Sequence, residues 1–191
     1  MKKRIIIACI CLLTLGGQAS GQYLKKGFWG GFELDYGLGL SDKGQHYRQN
    51  FGSKARMQMV GLRTVFGYYI TPSFSLGTGI GVTTHSHPRN NMIPIFLDIR
   101  YHPITRINEN LYINLNFGTA LANNQSDLNT KFIWELALGY KLFDIGNFTL
   151  TPAIGYNYMK YDKEVWSEEN DFFIDCSQKR RTLFFRLSLT Y

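Results

Sequence analysis

Eight charged side chains interrupt apolar stretches of the sequence: Glu33, Asp35, Asp98 and Glu135 on the acidic side, and Arg63, Arg100, Lys141 and Arg186 on the basic side. Such a set can form a polar track along which ions pass or are gated, or it can pair internally. An unpaired buried charge costs several kcal/mol, whereas a paired, hydrogen-bonded one is tolerated. Four acids against four bases favour a neutral, paired set. A second cluster, His85-Ser86-His87, holds residue types suited to acyl transfer, because an imidazole can activate a hydroxyl. Neighbours on an extended chain point to opposite faces, however, which parts His85 from Ser86 if this stretch is a strand. His46, His85 and His87 could share a metal, but no Cys or carboxylate stands at a zinc-like spacing from them. Gly77-x-Gly79-x-Gly81 is every second residue of a strand and lacks the strand-to-helix context of a phosphate loop. The expectation is therefore no catalytic residue, no metal site and no cofactor.

The elements that must position these groups are strands. From Phe28 onward large apolar residues recur with period two, the strand period. Phe28, Phe32, Leu34, Tyr36, Leu38 and Leu40 share one face, and Trp29, Gly31, Glu33, Asp35, Gly37 and Gly39 the other. The same alternation runs through 59–70, 74–83, 93–102, 111–118, 132–142, 148–158 and 182–191, which makes eight strands. Each is long enough to cross a bilayer at a tilt, which takes about 9 to 11 residues. Short turns at 71–73, 103–110 and 144–147 alternate with longer connections at 41–56, 86–91, 122–131 and 160–181, the layout of an outer-membrane meander with turns in the periplasm and loops outside.

Volume decides which face is outside. About forty large apolar side chains occupy the uniform face, and the interior of an eight-stranded barrel is only just wide enough to be filled by side chains. They cannot all fit within, so the apolar face looks into lipid and the strand charges look inward. The same volume argument sets aside a soluble eight-stranded barrel with an apolar interior, and a buried soluble sandwich is the weaker alternative. Tyr68, Tyr101, Tyr112, Tyr140, Phe148 and Tyr191 near the turn ends, with Tyr36, Phe132, Trp134, Tyr156 and Tyr158 toward the loop ends, are the rings expected to form two interfacial belts.

Composition alone hides this. The 191 residues are 45% hydrophobic with a mean hydropathy of −0.17, values that suit a soluble domain. A spanning helix needs roughly 20 consecutive apolar residues, and the longest apolar run, Ile5 to Leu15, falls short. That run follows Met1-Lys2-Lys3-Arg4 and precedes small residues, so 1–21 reads as a cleaved signal peptide and 22–191 as one barrel domain. Removing Lys2, Lys3 and Arg4 takes the formal charge from +7 to about +4, too mild for a nucleic-acid partner. Cys9 and Cys11 leave with the signal, and Cys176 is left without an internal disulfide partner.

The export signal, the eight amphipathic strands and the closing Leu183-x-Phe185-x-Leu187-x-Leu189-x-Tyr191 resemble small outer-membrane barrels of the OmpX/OmpA type. Gly67-Tyr68-Tyr69-Ile70-Thr71-Pro72 and the stretch 93–101 are similar to outer-membrane β-barrel families common in Bacteroidetes. The resemblance implies an all-β, eight-stranded antiparallel up-and-down transmembrane barrel, with Phe185, Leu187, Leu189 and Tyr191 read by the barrel-assembly machinery during insertion. Some barrels of this kind modify lipid A with His, Ser and an acid, which would place such chemistry at His85 and Ser86. The favoured role is non-enzymatic: stabilising the membrane or meeting a partner through outer loops, with small-solute transport as the alternative and lipid A modification after it. The segment 160–181 mixes charges with Trp166, Phe172 and Phe173, a composition suited to recognising an extracellular protein. A plainer role for it is a solvated loop that bridges lipopolysaccharide phosphates through Lys179, Arg180 and Arg181.

Overall fold

In a computed structural model, the structure describes residues 27–44, 58–86, 89–103, 110–122, 128–167 and 172–191. The expected signal peptide at 1–21 lies outside them, as do His46 and His87. The described residues form β1 (Gly27–Gly44), β2 (Gln58–Thr71), β3 (Phe74–Ser86), β4 (Arg89–Tyr101), β5 (Leu111–Ala122), β6 (Leu128–Tyr140), β7 (Phe143–Ile145), β8 (Phe148–Ser167) and β9 (Phe172–Thr190). Consecutive strands pair antiparallel from β1 to β6; β9 lies between β1 and β8, and β8 pairs back onto β6. The sheet thus closes on itself. β7 continues the line of β6 alongside β8 for three residues, so the wall has eight staves, as the period-two reading requires. Closure leaves no unpaired edge, a condition any sheet in lipid must meet.

The alternation sorts side chains as volume demands. Along β1, Glu33 and Asp35 are 1% and 2% exposed, while their neighbours Leu34 and Tyr36 are 52% and 46% exposed. β2 repeats the pattern, with Arg63 and Val65 inside and Leu62, Phe66 and Tyr68 outside. A one-residue slip would reverse every such pair, so the register is fixed by the requirement that charges stay out of lipid. β1 meets β2 with Glu33 opposite Arg63 and β9 with Asp35 opposite Arg186. Register and composition thereby bring opposite charges together on one inner face.

Small and large residues alternate inside the barrel. Gly67 and Gly77 face each other across β2 and β3, and a Cβ on Gly67 would lie 2.7 Å from Cζ2 of Trp29. The two glycines are the seat of that indole. At the β7–β8 hairpin, Gly146 takes φ of 61° between Ile145 and its partner Phe148, the left-handed conformation that a two-residue turn needs. Pro94 stands within a central strand, where it cannot donate to a ladder. It pairs with Ala120 on the β5 side, and the β3–β4 ladder skips from Ile80–Ile95 to Thr83–Met92, so the missing N–H falls on the β3 side.

Two expectations are corrected. The segment 160–181 is not chiefly a loop: β8 runs to Ser167 and β9 begins at Phe172, with Trp166 opposite Phe173 and Ser167 opposite Phe172 in one continuous hairpin. The backbone pairs regularly there although the sequence does not alternate between polar and apolar types as the lower wall does. Arg180 does not reach lipopolysaccharide, because alternation turns it inward, fully buried, with Nη2 donating to the Tyr161 hydroxyl at 3.4 Å. Lys179 and Arg181 face outward.

Candidate functional site

The inward charges assemble into one network. Glu135 on β6 is its hub, accepting from Arg63 Nη1 on β2 at 2.7 Å, Arg186 Nη2 on β9 at 2.7 Å, Asn116 Nδ2 on β5 at 3.0 Å and Asn157 Nδ2 on β8 at 2.8 Å. Five strands therefore meet on one carboxylate. Arg186 also donates from Nε to Asp35 at 2.7 Å and from Nη1 to Asn114 at 2.8 Å, and Arg63 pairs with Asp35. On the turn side, Arg100 donates to Glu33 at 2.7 Å and to Asp98 at 2.8 Å. Asn114 links the halves, its Nδ2 donating to Asp98 at 3.0 Å and to Asn116 at 3.1 Å. Ser188 adds a 3.4 Å bond to Glu33.

Aromatic rings hold the guanidinium planes. Arg100 lies 4.0 Å from the Trp29 ring centroid, Arg186 4.7 Å from that of Phe184, and Arg63 5.0 Å from that of Phe96. His102 sits between Tyr69 and Tyr112 at centroid distances of 5.8 and 5.6 Å and closes the turn end of the interior. Seven of the eight charges read from the sequence thus come together. Lys141 does not join them: it follows the end of β6, half-buried, with its N–H donating to the Asn110 carbonyl at 2.8 Å. Six residues separate it from Glu135, about 20 Å at the rise of a strand. Four acids therefore meet three guanidiniums rather than four bases, because the period assigns a face but not a height in the barrel.

Asn114, Asn116, Asn157, Ser188 and Trp29 complete the network and escaped notice as uncharged residues, although their positions on the polar face were legible. Tyr112, expected in the turn-end belt, is 2% exposed and points inward; its place in the alternation, opposite Leu111 and Ile113, is the signal that should have prevailed over its type. Outer rings pair at both ends. Phe28 meets Tyr68 at 5.1 Å and Phe148 meets Tyr191 at 6.1 Å near the turns, while Trp134 meets Tyr156 and Tyr158 at 5.5 and 6.0 Å toward the loops.

On the loop side of the network lies a cavity of about 20 Å³, room for a water or two. Met59, Met92, Met159, Phe96, Ile133 and His85 are among its walls, and Asp35, Arg63 and Glu135 lie at its base. His85 is buried, whereas Ser86 Oγ accepts from the backbone N–H of Gln58 at 2.8 Å on the other face of the strand. The adjacent His/Ser pair is thereby separated. Of the carboxy-terminal residues, Phe185, Leu187 and Tyr191 are exposed on the outer surface and Leu189 is half-buried. The backbones of Trp166, Phe172, Phe173 and Cys176 belong to the β8–β9 hairpin.

No protein-family model matches the sequence, and no curated protein does. Solved structures resemble the fold. The outer-membrane protein AlkL, solved in lipid bilayers, superposes with a TM-score of 0.59 at 15% identity over 91% of this chain and 93% of that one. The outer-membrane protein OprG from Pseudomonas aeruginosa does so with a TM-score of 0.54 at 11% identity over 87% and 97%. With seven strand charges sealed inside, large apolar residues facing outward and its edges closed, the chain is an all-β, eight-stranded antiparallel barrel of the kind that spans the bacterial outer membrane.

Proposed function

We propose that this protein is a non-enzymatic outer-membrane protein that stabilises the membrane and meets an extracellular protein partner through the β8–β9 hairpin. The observation that carries this reading is the height of that hairpin. β8 has 20 residues and β9 has 19, and 20 residues rising about 3.3 Å each at a tilt of about 40° reach roughly 50 Å, twice the apolar band of about 25 Å. The outer face changes character partway up. Tyr156 opposite Leu183 gives way to Tyr158 opposite Arg181 and then Lys160 opposite Lys179. Leu183 to Tyr191 is nine residues, a lipid span; the rest of the hairpin stands beyond it with Trp166, Phe172 and Phe173 at its tip.

Lys160, Lys179 and Arg181 at the boundary suit lipopolysaccharide phosphates. The outer apolar face of β9, with Phe185, Leu187, Leu189 and Tyr191, suits recognition by the barrel-assembly machinery. The filled interior argues against free passage of solutes, and the separation of His85 from Ser86 argues against acyl transfer at that pair. Cells displaying the wild-type chain and a variant lacking 163–175 are compared for binding to immobilised matrix proteins and for phage adsorption. Loss of one such activity in the variant, with the barrel still inserted, is expected. Equal behaviour of the two strains in every assay removes the recognition role and leaves membrane stabilisation.

A further inference from the structure

We propose that the loop-side chamber of the barrel binds a soft monovalent cation, Cu(I) or Ag(I), through the thioethers of Met59, Met92 and Met159 and the imidazole of His85. The chain has five methionines, and all three among the described residues line the same cavity. Met92 and Met159 pack in one buried cluster, and Met59 stands directly opposite His85 across β2 and β3. Methionine commonly fills irregular gaps in cores, so the sulfurs alone would not make a site. His85 does: it is 4% exposed, and among the described residues neither of its ring nitrogens has a hydrogen-bond partner. A buried polar atom without a partner has lost its water and gained nothing in return, a penalty that coordination of one nitrogen relieves.

Donor chemistry selects the ion. Thioethers are soft, neutral donors and imidazole is a neutral, borderline donor that also suits copper, so three thioethers with one imidazole favour Cu(I) over hard cations. The carboxylates of Asp35 and Glu135 at the base of the chamber are engaged by Arg63 and Arg186, so they do not offer the oxygen cage that Ca²⁺ or Mg²⁺ requires. The network below the chamber, with four acids and three guanidiniums, carries one excess negative charge. Arg180, buried beside Tyr161 on the loop side, balances it. Each added cation therefore leaves uncompensated positive charge, which weighs against a divalent ion more than against a monovalent one.

Silver is the probe, since it shares the preferences of Cu(I) without its redox chemistry. The protein extracted from membranes, carrying Cys176→Ser so that its thiol does not capture the metal, is titrated with silver nitrate while methionine methyl resonances are followed. The methyls of Met59, Met92 and Met159 are expected to shift together up to one equivalent while Met57 stays, and Zn²⁺ is expected to move none. Met92→Leu and Met159→Leu, which conserve volume, are expected to weaken binding at least about tenfold, as is His85→Phe, in line with the loss on removing partners of a metal site. Shifts confined to Met57, no shift at one equivalent, or unchanged affinity in folded Leu variants would overturn the proposal. Where the variants do not fold, the wild-type shift pattern decides it.

Discussion

Arg186 shows why a charged residue can be essential to a membrane protein without performing chemistry. Its guanidinium spans Asp35, Glu135 and Asn114, and removing it leaves four acids facing two bases in a closed interior. Removing one partner from a buried pair costs about 3–5 kcal/mol because the other charge remains uncompensated. Arg186→Met is therefore expected to lower unfolding stability in detergent by about that amount. Glu135→Gln, which keeps the shape and an acceptor oxygen, should cost nearer the 1–3 kcal/mol of unsatisfied donors. Urea titrations followed by gel mobility before and after boiling measure both, and an Arg186→Met variant as stable as wild type would mean the network is dispensable. Glu33, Asp35, Arg63, Asp98, Arg100, Glu135 and Arg186 were legible from alternation alone, since a charge on the lipid face of a strand is excluded. Which oxygen meets which nitrogen was not, because pairing depends on strand tilt and stagger, which the period does not encode.

Among the elements, the β2–β3 pair carries a specific dependence of wall on core. Gly67 and Gly77 leave room for the Trp29 indole, and that ring supports Arg100, which holds Glu33 and Asp98. A side chain at Gly67 must displace the indole and with it the turn-side half of the network. Gly67→Val is expected to destabilise by about 1–3 kcal/mol, the usual range for overpacking. Pairing the change with Trp29→Leu should recover part of that loss in the same unfolding titration; a pair no better than the sum of its parts would place the strain in the backbone instead. The hairpin at 160–181 teaches the complementary lesson. Its polar and aromatic composition suggested a loop, and Lys160-Tyr161-Asp162-Lys163-Glu164-Val165-Trp166-Ser167 carries no polar–apolar alternation to say otherwise; the strand shows only in the pairing of its backbone with β9. Period two is imposed where one face of a strand meets lipid and the other a polar interior; beyond the bilayer both faces can be polar, and the strand loses that signature.

For the whole molecule, closure and filling must be considered together. A barrel of eight strands encloses only the width of its own side chains, and here the width is taken by a hub carboxylate reached from four other strands and by rings that cover the turn end. Mean hydropathy conceals this arrangement because each strand averages a lipid face with a polar one. Such an interior should not conduct: purified wild-type protein in planar bilayers is expected to show no steady unitary current. Replacing the hub pair, Glu135→Ser with Arg186→Ser, removes two long side chains and shortens the barrier between the loop-side cavity and the turn end. The remaining network then holds three acids and two guanidiniums, so any current through it is expected to favour cations, which a reversal potential under a salt gradient reads directly. Steady currents from the wild type would show that the ion pairs part readily enough to pass ions, and small-solute transport would then displace surface recognition as the role of this barrel.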